Sequence, residues 1–197
     1  KMVTDYLRKG CRGNAEETPK TLDNCHNYII GDNRLALEAM AKKAEEAGFT
    51  PLIVTAEQKG ETTAVAWSRA DEILNAKYAS YNAILIGGET TPKLPANAGK
   101  GGRNQHYGAV SMLAMKQYPG KWVMASVGTD GSDFLPDVAG AMVDDRSLDS
   151  TTGRGIDIKA HLSQYDSNTL LARTGGSLVV TGDTGTNVGD VIIYLLK

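Results

Sequence analysis

The stretch Ala83-Ile84-Leu85-Ile86-Gly87-Gly88-Glu89-Thr90-Thr91 carries the strongest fold signal in the chain. Four consecutive apolar residues are too few for a helix, and they lack the polar alternation of a strand with one wet face. They read as a strand buried on both sides, which requires helices above and below its sheet. The glycine pair ends the run, and Glu-Thr-Thr continues it as a polar loop at the strand's carboxyl end. In a wound α/β sheet such loops form the ligand-binding edge.

The same punctuation recurs on either side. Pro51–Thr55 is expected as the preceding strand, and Trp122–Val127 as a later one that runs into Gly128-Thr129-Asp130-Gly131. Helical patterns lie between them: Asn33 to about Ala47, with Asp32 as N-cap and Gly48 at its end, then Glu61–Ala76 and Arg103–Gln117. A short strand is expected at Asn27–Ile30. A helix-rich region follows Gly131, and Ser177–Val180 with Val191–Leu196 are expected to close the fold as an antiparallel pair across a glycine-rich link. The expected fold class is α/β, with a mixed, mostly parallel sheet and helices on both faces. Residues 1–26 read as a polar remnant and 27–197 as a single α/β domain. The chain opens on Lys1, and Tyr6-Leu7 read as part of a longer element, so a truncated protein is expected. Gly-Glu-Thr-Thr occurs at 60–63 and again at 88–91, too short a match to signal an internal repeat.

Composition removes several function classes. Lys and Arg number 21 against 23 Asp and Glu, a net charge of −2 that argues against a basic nucleic-acid face. No apolar run reaches bilayer length, and no charged segment followed by an apolar one opens the chain. Cys11 and Cys25 have no CxxC spacing, and Cys25-His26 lacks the further ligands of a structural zinc, so reduced thiols in a cytoplasmic setting are expected. The excess is in glycine: 22 residues, clustered beside the apolar runs.

Those clusters are where chemistry is expected. Gly87–Thr91, Gly128–Gly131 and Gly182–Gly189 follow predicted strands, and Gly99-Lys100-Gly101-Gly102-Arg103 opens a predicted helix. Backbone N–H groups at glycine turns and helix starts favour anions, whereas Lys100 and Arg103 place cations at a helix start that disfavours them. A bound phosphate or carboxylate would resolve that conflict. No Gly-x-x-x-x-Gly-Lys-Ser/Thr occurs, so there is no P-loop, and Asn at position 104 breaks a dinucleotide fingerprint. Asp130, Asp133 and Asp137 follow a strand and are candidate metal ligands, because one or two carboxylates plus substrate phosphates hold Mg²⁺. Asp144 and Asp145 read as loop or capping residues. Among the histidines, His106 beside Arg103 is the one retained as a candidate.

Ile86–Thr91, Gly99–Gln105, Gly128–Gly131, Ala139-Gly140-Ala141 with Asp144, and Thr181–Val188 occur in an order that resembles the C-terminal region of glycerate 2-kinases of the MOFRL type, a family also labelled hydroxypyruvate reductases. The similarity covers about Ala83 to Lys197 strongly and Asn27 to Ala76 less specifically. It implies ATP- and Mg²⁺-dependent phosphorylation of D-glycerate to 2-phosphoglycerate in a cleft between two α/β domains. The N-terminal domain, which supplies a lysine in the family, is expected to lie outside this chain. Arg103 and Asp130 then become the catalytic candidates. Substrate and phosphate contacts fall to Gly88, Glu89, Thr90, Thr91, Lys100, Gly101, Gly102, Asn104, Gln105, Thr129, Thr184, Thr186 and Asn187. The isolated chain is expected to be inactive; a stand-alone nucleotide- or phosphometabolite-binding module and a reductase are the alternatives. The chain departs from the family pattern at Phe134-Leu135-Pro136-Asp137, where Gly-Pro-Thr-Asp is usual, and at His106, Asp183 and Gly189, where Glu, Pro and Asn are usual.

Overall fold

The computed structural model describes Lys1–Lys197 and divides into two compact units, Lys1–Ile30 and Gly31–Lys197. The first contains helix α1 (Met2–Cys11) and otherwise no regular element. The strand expected at Asn27–Ile30 does not form, because no neighbouring strand offers it a ladder. Cys11 and Cys25 are free and exposed.

The second unit follows the sequence pattern closely through its first half. Helix α2 (Asn33–Glu46) starts where Asp32 accepts a hydrogen bond from the Leu35 amide at 2.8 Å. Strand β1 (Pro51–Gln58), helix α3 (Thr62–Leu74), strand β2 (Ala83–Gly88) and helix α4 (Arg103–Ala114) follow, the last extended by a 3-10 turn over Met115–Gln117. Then come β3 (Trp122–Gly128), β4 (Gly140–Asp144), α5 (Ser147–Gly153), α6 (Ile158–Ser163), α7 (Ser167–Thr174), β5 (Leu178–Val179) and β6 (Asp190–Leu196). Strand β4 has no counterpart in the sequence reading.

The six strands form one sheet in the order β1-β2-β6-β3-β4-β5. Only β1 and β2 pair in parallel; every other pairing is antiparallel, so the sheet is mixed but not mostly parallel. The reason is β6. It inserts between β2 and β3, which point the same way, and turns what would be a parallel neighbourhood into two antiparallel ladders. The expected β5–β6 hairpin does not exist, because β5 pairs with β4 instead.

Side chains alternate as the pleat requires. Leu85 and Val191 meet Leu37 of α2 on one face, whereas Ile84, Ile86, Ile192 and Tyr194 join the larger core under α3, α4 and α7 on the other. Helices on both faces explain the unbroken apolar run at Ala83–Ile86, all of it buried. Helix α4 is enclosed nearly all round, with Asn104 through Met112 buried. It rides so close on β4 that a Cβ at Gly108 would lie 2.8 Å from that of Ala141. No helix is long and apolar enough to cross a membrane.

Candidate active site

Because β6 runs opposite to β2 and β3, its first residue lies level with their last ones: Asp190 pairs with Gly88 on one side and Gly128 on the other. Asp190 is 3% exposed. Its carboxylate accepts from Arg103 Nε at 2.5 Å and Nη2 at 2.9 Å, a bidentate pair, while Nη2 also lies 3.4 Å from Glu89. This hydrogen-bonded pairing raises the Arg103 pKa further above its ordinary value. Arg103 remains partly exposed, and its Nη1 has no protein partner. The guanidinium is thus oriented from behind and open in front.

The start of α4 carries an anion already, and it is the protein's own. Asp133 accepts from the Asn104 amide at 3.0 Å, the Gln105 amide at 2.8 Å and Gln105 Nε2 at 2.9 Å. Burial raises its pKa, opposed by those amide bonds. Gly102 makes the approach possible, since a Cβ there would sit 2.3 Å from the Asp133 Cγ. The Lys100 amide is likewise taken by Asp166 at 2.9 Å, with the Lys100 side chain in solvent. The expected conflict of cations at a helix start is therefore resolved by Asp133, Asp166, Asp190 and Glu89, not by a free helix end awaiting phosphate.

The loops after β3 and before β6 are stitched together. Thr129 Oγ1 donates to Gly189 O at 2.7 Å and accepts from the Val188 amide at 2.9 Å. Thr184 Oγ1 donates to Thr129 O at 2.5 Å, and Asn187 Nδ2 reaches Asp130 at 3.3 Å. Gly131, at φ +87°, lies where a Cβ would be 1.9 Å from Gly182 O, so only glycine fits this junction. Asp130 also accepts from the Ser132 amide at 2.9 Å. Thr186 presents its carbonyl to Thr184 at 3.4 Å.

Of the expected metal ligands, the structure does not gather three. Asp133 is spent on α4, Asp137 is exposed and without a hydrogen bond, and no group of three or more His, Cys, Asp or Glu is arranged to hold an ion. Asp130 is partly exposed at the loop edge. The donor set does not fit an all-protein metal cage.

The two Gly-Glu-Thr-Thr segments meet. They follow the parallel strands β1 and β2; Thr62 Oγ1 donates to Thr90 Oγ1 at 3.0 Å, and the Thr91 amide donates to Gly60 O at 2.8 Å. Glu61 caps α3, accepting from the Ala64 amide at 2.9 Å, while its counterpart Glu89 turns to Arg103. Burial would raise the Glu61 pKa, but hydrogen bonds from Tyr165, from the Ala64 and Thr63 amides and from the Thr63 hydroxyl hold it at about 2. His106 belongs to this group. It contacts Thr63 Oγ1 at 3.1 Å and Ser167 Oγ at 2.8 Å, and stacks on Tyr165 with ring centroids 3.9 Å apart. Burial lowers its pKa to about 4, partly countered by Glu61, so it is a neutral structural bridge near pH 7.

Residues 82–190 match the MOFRL family over more than half of the chain. The chain belongs to the MOFRL family. It is 32% identical over 198 residues to a glycerate 2-kinase of Pyrococcus horikoshii, covering 97% of this chain and 44% of that protein. It is 33% identical over 190 residues to a D-glycerate 2-kinase of Thermotoga maritima, covering 94% and 45% respectively. The crystal structure of a glycerate kinase from Thermotoga maritima superposes with a TM-score of 0.84 at 32% identity, covering 94% of this chain and 45% of that one. The chain thus spans a little under half the length of these relatives. Within the MOFRL match, Asp190 is the site residue that sequence reasoning missed, and Asp133, read there as a metal ligand, instead anchors the start of α4. A buried acid heading the apolar run Val191–Leu196 was the available signal for Asp190.

Proposed function

We propose that this chain is the C-terminal part of an ATP-dependent glycerate kinase and supplies one side of its active-site cleft. The observation that supports it most is the Arg103–Asp190 pair, set where the loops after β2 and β3 meet the start of β6, with Arg103 Nη1 left open. In phosphoryl transfer a fixed guanidinium neutralises charge on the transferring group. The substrate hydroxyl oxygen attacks the γ-phosphorus, the bond to the β,γ-bridging oxygen breaks, and ADP leaves. Asp130 orients the hydroxyl and takes its proton, which then passes to solvent. Thr129, Thr184 and Asn187 keep Asp130 in place, and Gly88, Glu89, Thr90 and Thr91 with Lys100–Gln105 frame the same edge. Thr186, whose hydroxyl has no partner in the fold, is available to the substrate. A divalent ion would reach the site with the nucleotide phosphates, with Asp130 as its protein ligand.

The longer protein, incubated with ATP, Mg²⁺ and D-glycerate, is expected to release ADP and form 2-phosphoglycerate in equal amounts. A folded protein that releases no ADP above background would remove the kinase reading. Ligand binding without ADP release would leave a binding module in its place.

A further inference from the structure

Three non-glycine residues in the chain have left-handed backbone, Ala76, Phe134 and Tyr165, and two of them line one cavity. The cavity measures about 390 Å³ and is lined by the apolar Pro92, Leu94, Phe134 and Tyr165 together with Gly102, Arg103 and Asp133. Strained backbone of this kind collects at ligand sites. Tyr165, at φ +52°, is pinned: its ring stacks on His106 and its hydroxyl donates to Glu61 at 2.5 Å. Phe134, at φ +63°, is 87% exposed and held by nothing comparable. A bulky apolar ring on such backbone, facing water, gains nothing from the fold itself.

We infer that Phe134 is the stacking face for the nucleobase of the phosphate donor. The inference rests on the kinase reading, which requires a donor as well as an acceptor. A three-carbon hydroxy acid would leave most of a 390 Å³ cavity empty, and its polar surface does not suit walls of Pro92, Leu94, Phe134 and Tyr165. A purine nucleotide matches both kinds of lining. Its planar base lies on the apolar walls, and its phosphates extend toward Arg103 Nη1. Tyr165, already stacked on His106, serves as the fixed side wall, so Phe134 is the aromatic surface free to take the base.

The test compares ADP with pyrophosphate by calorimetric titration of the chain, since the two ligands share phosphates and differ by the nucleoside. The chain is expected to bind ADP more tightly than pyrophosphate. Phe134→Gly should weaken ADP by about tenfold, the scale of one lost base stack, with pyrophosphate unchanged. Glycine suits the left-handed backbone, so the variant's thermal midpoint should not fall, and Phe134→Tyr should keep ADP affinity. An ADP-to-pyrophosphate ratio that Phe134→Gly leaves unaltered would overturn the inference, as would no preference for ADP at all. ADP held through Phe134 by a longer protein that phosphorylates nothing would support the base subsite and sink the kinase reading. Turnover of D-glycerate with an unaltered ratio would do the reverse.

Discussion

Asp133 is a charge that the fold places inside itself in order to start a helix. It takes the buried Asn104 and Gln105 amides, which have no other partner at that end of α4, and shares the Gln105 side chain with its own carbonyl and with Asn168. Asp133→Ala strands the two amides and should cost about 2–4 kcal/mol, read as a shift in urea unfolding at pH 7. A loss under about 1 kcal/mol would mean that water replaces the carboxylate. His106 sets a pH dependence. Its folded pKa of about 4 lies below the ordinary 6.5, so between those values the unfolded chain binds a proton that the native one refuses. Stability therefore falls as pH drops from 6.5 to 4. Glu61 continues the fall from 4.5 to about 2, while the raised Asp133 works against it in the carboxylate range. His106→Gln should flatten the part of the curve between pH 6.5 and 4, measured by urea midpoints across that range. An unchanged slope would show that His106 is not the group responsible.

Among the elements, α4 and β6 organise the molecule, and they were legible to different degrees. The start of α4 at Arg103 and the apolar content of β6 could be read locally, because burial on both sheet faces leaves an unbroken apolar run. The position of β6 could not, since pairing is a long-range property that no local pattern encodes. The glycine link Thr181–Gly189 resembles a hairpin loop, yet its polar side chains bond to Thr129 and Asp130, which carries the chain across to the gap between β2 and β3. That single misplacement produced both errors, the hairpin and the mostly parallel sheet. β4 escaped notice because Gly140–Asp144 is short and has glycine at its start. The pairing of the two Gly-Glu-Thr-Thr turns likewise follows from the parallel register Gln58 to Gly88, which the repeat alone does not reveal. The tight seat of α4 makes an expectation against helix propensity. Alanine is the better helix former by about 1 kcal/mol. Even so, Gly108→Ala should destabilise by about 1–3 kcal/mol, because the new methyl meets Ala141. Thermal unfolding of the variant checks it, and a raised midpoint would show that α4 can lift off β4.

At the scale of the whole molecule, the site edge is richer in carboxylates than in cations. Asp190 and Glu89 flank one open guanidinium, Asp133 holds the start of the same helix, Asp130 sits on the loop after β3, and Lys100 is exposed. Such an edge suits a cleft whose opposite wall brings positive charge, in keeping with relatives about twice as long. The carboxyl-edge loops and Arg103 were readable in the sequence as a place for chemistry. The identity of the internal anions was not, since Asp133 and Asp190 come together with α4 only in the folded sheet. Everything in the proposed chemistry converges on Arg103, so its replacement is the decisive measurement. In the longer protein assayed with ATP, Mg²⁺ and D-glycerate, Arg103→Ala should raise the barrier by about 2–4 kcal/mol, a fall in kcat/KM of about 30- to 1,000-fold, with the fold intact. Turnover unchanged by Arg103→Ala would contradict the assignment of this edge as the phosphoryl-transfer site.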